Sequence, residues 1–171
     1  MHAGIAAGSS HLEGGGGGNT LCLPKIPEYD QYIAGLQYSG HIYGMQYDLY
    51  TSSNSVFDES NLGGVTFSGI PAACAVCFVN RESILMIPAK MTCPDGWNKE
   101  YGGYLVSEAS MVGTTERGDY KCWDRAPEAA GGGSGNGLRQ SMAYQVEGIC
   151  GTLSCSAYES GKELTCVVCS K

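Results

Sequence analysis

Long apolar runs are missing from this chain. The longest, Ile70 to Val79, is about half of the roughly 20 residues needed to cross a bilayer as a helix. Charge is scarce as well: 16% of residues are charged, the net charge is −7, and the ten Lys and Arg are scattered. A nucleic-acid partner would need a basic patch to neutralise phosphates, and there is none. The sequence holds no His-Glu-x-x-His, no nucleophile elbow, no catalytic cysteine with a histidine signature and no EF-hand loop. It is therefore read as non-enzymatic. Sustained helical periodicity is lacking. So is a secretory signal pattern, and Met1-His2-Ala3-Gly4 is expected to open either a mature form or a recombinantly expressed one.

What is present is cysteine, glycine and tyrosine: nine, 26 and 11 among 171 residues. Many turn points and few helix formers predict short strands and loops. Dense cysteine points to disulfides and an oxidising, extracellular setting. The two Cys-x-x-Cys pairs, Cys74–Cys77 and Cys166–Cys169, lie far apart in apolar, strand-like runs. That placement suits neither a compact zinc site nor a thioredoxin-like motif opening a helix.

The chain also repeats itself. Cys122-Trp123-Asp124-Arg125-Ala126-Pro127-Glu128 has the frame of Cys22-Leu23-Pro24-Lys25-Ile26-Pro27-Glu28, with Cys, Pro and Glu at the same offsets. Gly4-Ile5-Ala6-Ala7 answers Gly103-Tyr104-Leu105-Val106, and Cys74-Ala75-Val76-Cys77 answers Cys166-Val167-Val168-Cys169. Three blocks in one order indicate an internal duplication whose copies share a core. The expected fold is mostly β: two internally duplicated, disulfide-stapled β motifs, 1–90 and 91–171, packed as one domain.

Within that frame, a strand, the five-glycine loop Gly14 to Gly18 and a second strand entering Cys22 open the first copy; five glycines cannot hold a regular element. Ile42 to Tyr50, Val65 to Ile70, Ala72 to Asn80, Ser83 to Ile87, Ser141 to Ile149 and Leu164 to Ser170 are strand candidates. Thr51 to Gly64, Val112 to Asp119 and Ala129 to Gly137 read as loops. One short helical turn is expected near Glu28 to Ala34.

The duplication makes the cysteine count informative. The second copy holds Cys93, Cys122, Cys166 and Cys169, an even set for two bridges, whereas the first holds Cys22, Cys74 and Cys77. The counterpart of Cys93 would stand ahead of the first residue. Cys150 and Cys155 are expected to bridge each other. Cys22 should pair with one of Cys74 and Cys77, leaving the other free, buried or joined to a second chain.

Further motifs carry a family resemblance. They are Gly8 to Pro24, Leu85-Met86-Ile87-Pro88, Thr92-Cys93-Pro94 with Trp97, Cys122-Trp123-Asp124-Arg125, and Glu163-Leu164-Thr165-Cys166-Val167-Val168-Cys169. Together they resemble the non-collagenous C-terminal domain of short-chain sponge collagens, over nearly the whole chain. The collagenous Gly-X-Y stretch and the opening Cys-Pro segment of that family are not in this sequence. Within the family the chain is most similar to the galactose-specific lectins of sea anemones. The resemblance implies a secreted homodimer that binds galactose-terminated glycans through terminal β-galactose; the alternative is an extracellular-matrix association module.

Candidate ligand-binding residues follow from the second copy. Trp123 is either a platform for the apolar face of galactose or a core residue beside a disulfide; Trp97 reads as core. Asp124, Arg125 and Glu128 supply acceptors and a forked donor for paired hydroxyls, and Asn136 and Gln140 add amides. A salt bridge on Arg125 with surface carboxylates is the competing reading. Calcium is the expected cofactor, through Asp124 and Glu128. A second candidate surface is His11 with Glu13 and Asn19 around the glycine run, set against a loop with incidental polar residues.

Overall fold

Two strands organise the molecule, and each is paired along both edges. The computed structural model describes residues 1–12, 16–31, 33–36, 39–47, 56–64, 69–108, 118–131 and 140–171. In the first unit, β1 (His2–Gly8) pairs antiparallel with β2 (Leu21–Pro24) along one edge. Its other edge is shared by β3 (Tyr43–Tyr47) and β4 (Ala73–Val76). After β5 (Ile84–Pro88), the second unit repeats the plan. There, β6 (Asn98–Ser107) pairs with β7 (Lys121–Asp124) on one side, and with β8 (Ser141–Gln145) and β9 (Thr165–Ser170) on the other.

The registers coincide residue for residue. Gly4, Ile5, Ala6 and Ala7 face Pro24, Leu23, Cys22 and Leu21, as Gly103, Tyr104, Leu105 and Val106 face Asp124, Trp123, Cys122 and Lys121. Backbone bonds repeat as well. Ala6 N–H donates to Ala72 O (3.0 Å) as Leu105 N–H does to Leu164 O (2.8 Å). Ala72 N–H donates to Met45 O (2.9 Å) as Leu164 N–H does to Val146 O (2.8 Å). Gly4 and Gly103 hold the same place, where a Cβ would overlap the carbonyl of Leu23 or of Trp123; glycine there permits a close backbone approach. The expected duplication is thus a repeated set of strand pairings.

The units join where β3 runs parallel to β8, giving a sheet in the order β2-β1-β3-β8-β6-β9-β5, with β4 on β1 and β7 on β6 as branches. The main core draws on both copies: Ala6, Met45, Tyr47, Phe57, Leu62 and Ala72 meet Val106 and Ala143, with Trp123 and Tyr104 packed against them. A smaller cluster under the second unit holds Leu105, Cys122 and Cys166.

Four disulfides staple this frame, with Cys22–Cys74 and Cys122–Cys166 at equivalent positions. Cys93–Cys169 and Cys150–Cys155 complete the set, and Cys77 is the free, exposed cysteine. Closing loops of 52 and 44 residues contributes about 4 kcal/mol each on the chain-entropy model.

Several local expectations shift. The helical turn is a 3-10 turn at Glu59–Leu62, inside the stretch read as an exposed loop; the described part of 28–34 has none. Asp58 caps that turn by accepting from Ser60 N–H at 3.0 Å, and Phe57 and Leu62 drop into the core. Two buried apolar side chains outweighed the polar composition around them. The strand at Ala72 to Asn80 narrows to Ala73–Val76 and that at Ser141 to Ile149 to Ser141–Gln145, while the described part of Ile42 to Tyr50 holds Tyr43–Tyr47. Residues 48–50 and 65–68, most of the loops expected at Val112 to Asp119 and Ala129 to Gly137, and Glu13 and Asn136 lie outside the described residues.

Candidate functional site

Those of the predicted residues that are described separate into two groups at opposite ends of β7. At its C-terminal end, Trp123 turns inward. Its ring meets Tyr47 edge-on, with centroids 4.8 Å apart and planes at 88°, and lies 6.4 Å from Phe57. That packing makes the half-buried indole a bracket between the units.

Asp124, Arg125 and Glu128 are exposed, on a backbone that is held at almost every step. Asp124 Oδ1 accepts from Ala126 N–H at 2.8 Å, an Asx-type turn that ends the strand. Arg125 N–H donates to Gly102 O (3.2 Å), and Arg125 O accepts from Asp58 N–H (2.9 Å). Asn61 Nδ2 donates to Ala126 O at 3.1 Å. Glu128 O accepts from the Tyr47 hydroxyl (2.8 Å) and from Ala73 N–H (3.2 Å), and Ala130 N–H donates to Pro71 O (2.9 Å). The corner is therefore clamped by residues of the first unit.

Its electrostatics follow from the same contacts. Asp58 is held below the usual carboxylate range, first by the Ser60 N–H, then by the Ser60 hydroxyl, with a smaller contribution from Arg125. Burial pushes the Tyr47 phenol far up, with the bond to Ala73 opposing and Glu128 adding to the rise. Among the described residues no ion pair ties up the Arg125 guanidinium. Asp124, Glu128, Asn61 and Arg125 thus combine acceptors, an amide and a forked donor, groups suited to a polyhydroxylated ligand. Among the described residues no three His, Cys, Asp or Glu side chains group to hold a metal, and one oxygen of Asp124 is already engaged. Calcium takes six to eight oxygens, so this donor set does not by itself fit the ion.

At the N-terminal end of β7, about 10 Å along a four-residue strand, lies a polar cleft between the units. Asn19 lines it with Ser9, Glu108, Lys121 and Ser141, around a cavity of about 20 Å³, the size for a water molecule. His11 stands within electrostatic reach of Glu108, and its N–H (3.0 Å) and Nδ1 (2.8 Å) both meet Gln140 O. Gln140 therefore stands with His11 and not with the Trp123 corner. Burial pushes the Glu108 carboxyl up, opposed by His11 and Lys121 and by bonds from Met142 and Ser141. Burial likewise lowers Lys121, against Asp119 and Glu108. Glu108 and Lys121 escaped the sequence reading. The repeat holds the signal, because their counterparts in the first copy are Ser9 and Leu21.

Fold and corner together define a class: a duplicated, disulfide-stapled β domain presenting a hydrogen-bonded polar edge at the junction of its halves. The chain matches none of the protein-family models, curated proteins or solved structures with which it was compared.

Proposed function

We infer that this protein is a secreted, non-catalytic carbohydrate-binding protein, with terminal β-galactose docking on the Asp124–Arg125–Glu128 corner. The observation that carries this reading is the clamped backbone from Arg125 to Ala130 beneath exposed side chains. A preorganised edge binds without first ordering its own loop, which matters when single-site affinities are near millimolar. Four disulfides accord with an oxidising compartment. Two sites on a homodimer supply avidity.

Retention on immobilised lactose, with release by galactose, tests the reading directly. Wild type is expected to be retained and Arg125→Ala to run through; wild type in the flow-through sinks the proposal. Repeating the column in chelator reads whether the calcium expected at Asp124 and Glu128 contributes. The second reading, an extracellular-matrix association module, is favoured by one observation, an edge of β4 that no strand among the described residues covers, beside the free Cys77. It expects flow-through together with association between polypeptides.

A further inference from the structure

The repeat shows what one edge of the first unit lacks among the described residues. In the second unit the outer edge of β9 is covered by β5: Pro88, Ile87, Met86, Leu85 and Ile84 face Cys166 to Ser170 in order. The connection from β5 to β6 then carries Cys93, which bonds the fully buried Cys169. The equivalent strand β4 has β1 on its inner edge. On its outer edge only the first residues are engaged, where Ala73 N–H donates to Glu128 O and Ala72 bridges Ala129. From Ala75 onward no strand among the described residues pairs with that edge.

Strand alternation settles which groups are left. Ala72 O accepts from β1 and Ala73 N–H points away from it, so the N–H and C=O of Ala75 also point outward, and Cys77 follows directly after the end of the strand. Their counterparts, Val167 and Cys169, are the residues that face Ile87 and Leu85 of β5. Ala75, Val76, Cys77 and Phe78 are all exposed, Val76 at 46% and Phe78 at 72%. An apolar, unpaired strand edge is a template for another strand, and this one carries the thiol whose counterpart is bridged.

We propose that the outer edge of β4, with the residues that follow it to Phe78, accepts an antiparallel strand of a partner polypeptide, an apolar segment followed by a cysteine, and that Cys77 locks it in place. The partner completes the first unit as β5 and Cys93 complete the second. Main-chain bonds supply affinity and the apolar side chains register, the physics of strand addition. The covalent step is thiol–disulfide exchange with a partner cysteine carried as a mixed disulfide with a small thiol of the glutathione class. Cys77 gives up its proton and its thiolate attacks the partner sulfur; the new S–S bond forms, the small thiolate leaves and takes up a proton. The inference rests on the repeated pairing and is independent of glycan binding.

The test uses the full chain and a synthetic peptide with the sequence of residues 82–98, its Cys93 capped as a glutathione mixed disulfide. Intact mass and peptide mapping follow capture at Cys77, and hydrogen exchange follows the Ala75 and Cys77 amides. Capture is expected about tenfold or more faster than with a scrambled peptide of equal composition, because docking raises the local thiol concentration. Methylating the backbone nitrogens at Leu85 and Ile87 of the peptide should remove that advantage. Cys77→Ser should abolish the covalent product, keep the amide protection and leave lactose retention unchanged. Equal rates for native and scrambled peptides overturn the proposal. So does a Cys77–Cys77 dimer forming in preference to capture, which would make the edge an interface between copies.

Discussion

The segment after β7 and its counterpart after β2 share a sequence frame but not a setting. Residues 125–130 are held by a run of hydrogen bonds, most of them to the turn, strand and core tyrosine of the first unit, and Pro127 and Ala130 are buried. Residues 25–30 are exposed throughout. Leu23 and Pro24 stand where Trp123 and Asp124 bracket and turn the second copy. One difference in side-chain volume and one in turn chemistry thus separate a fixed edge from an exposed one. Duplication supplied the frame, and asymmetry in packing made one copy a candidate site.

The comparison is open to experiment, and the largest effect is expected from the bridges. Replacing Cys122 and Cys166 together by Ala should cost more than replacing Cys22 and Cys74, although both close loops contributing about 4 kcal/mol. Cys122 and Cys166 are buried, at 9% and 1% exposure, so their loss adds a cavity. Denaturant midpoints of the two variants read the difference, and equal midpoints would remove the packing asymmetry. Trp123→Ala should cost about 3 kcal/mol, and Leu23→Ala about 1; thermal unfolding of the pair checks the bracket role.

Tyr47→Phe removes the buried hydroxyl bonded to Glu128 O and should cost about 1–2 kcal/mol, with weaker retention on lactose as the corner loosens. It also carries a pH signature. The folded phenol titrates above its ordinary value of 10.0, so the fold prefers the neutral form. That stabilisation is complete below pH 10 and is lost as pH rises toward the folded value. Wild type should lose stability above that pH, and Tyr47→Phe should lose less.

Asp124→Asn keeps an oxygen for Ala126 N–H and should change stability by less than about 0.5 kcal/mol while abolishing lactose retention. Glu28→Gln in the first copy should leave both untouched. Smallest of all is Glu108→Gln in the cleft. Its carboxyl is raised by burial, so its contribution is fullest below the ordinary value of 4.5 and is lost as pH rises through the folded value. The variant should gain on wild type at pH 7 and lose that gain at pH 4, as thermal unfolding would show.

Sequence alone settled the mostly β class, the repeat, and the cysteine arithmetic down to one unpaired member of Cys74 and Cys77. These are legible because strand propensity, fixed offsets and covalent pairing are written in order along the chain. The inward turn of Trp123, the partnership of Gln140 with His11 and the burial of Glu108 depend on which edges meet across the unit junction, and the choice of Cys74 over Cys77 on how β2 and β4 flank β1. Contacts between residues far apart in sequence leave no periodic trace, so only the packed sheet could decide them.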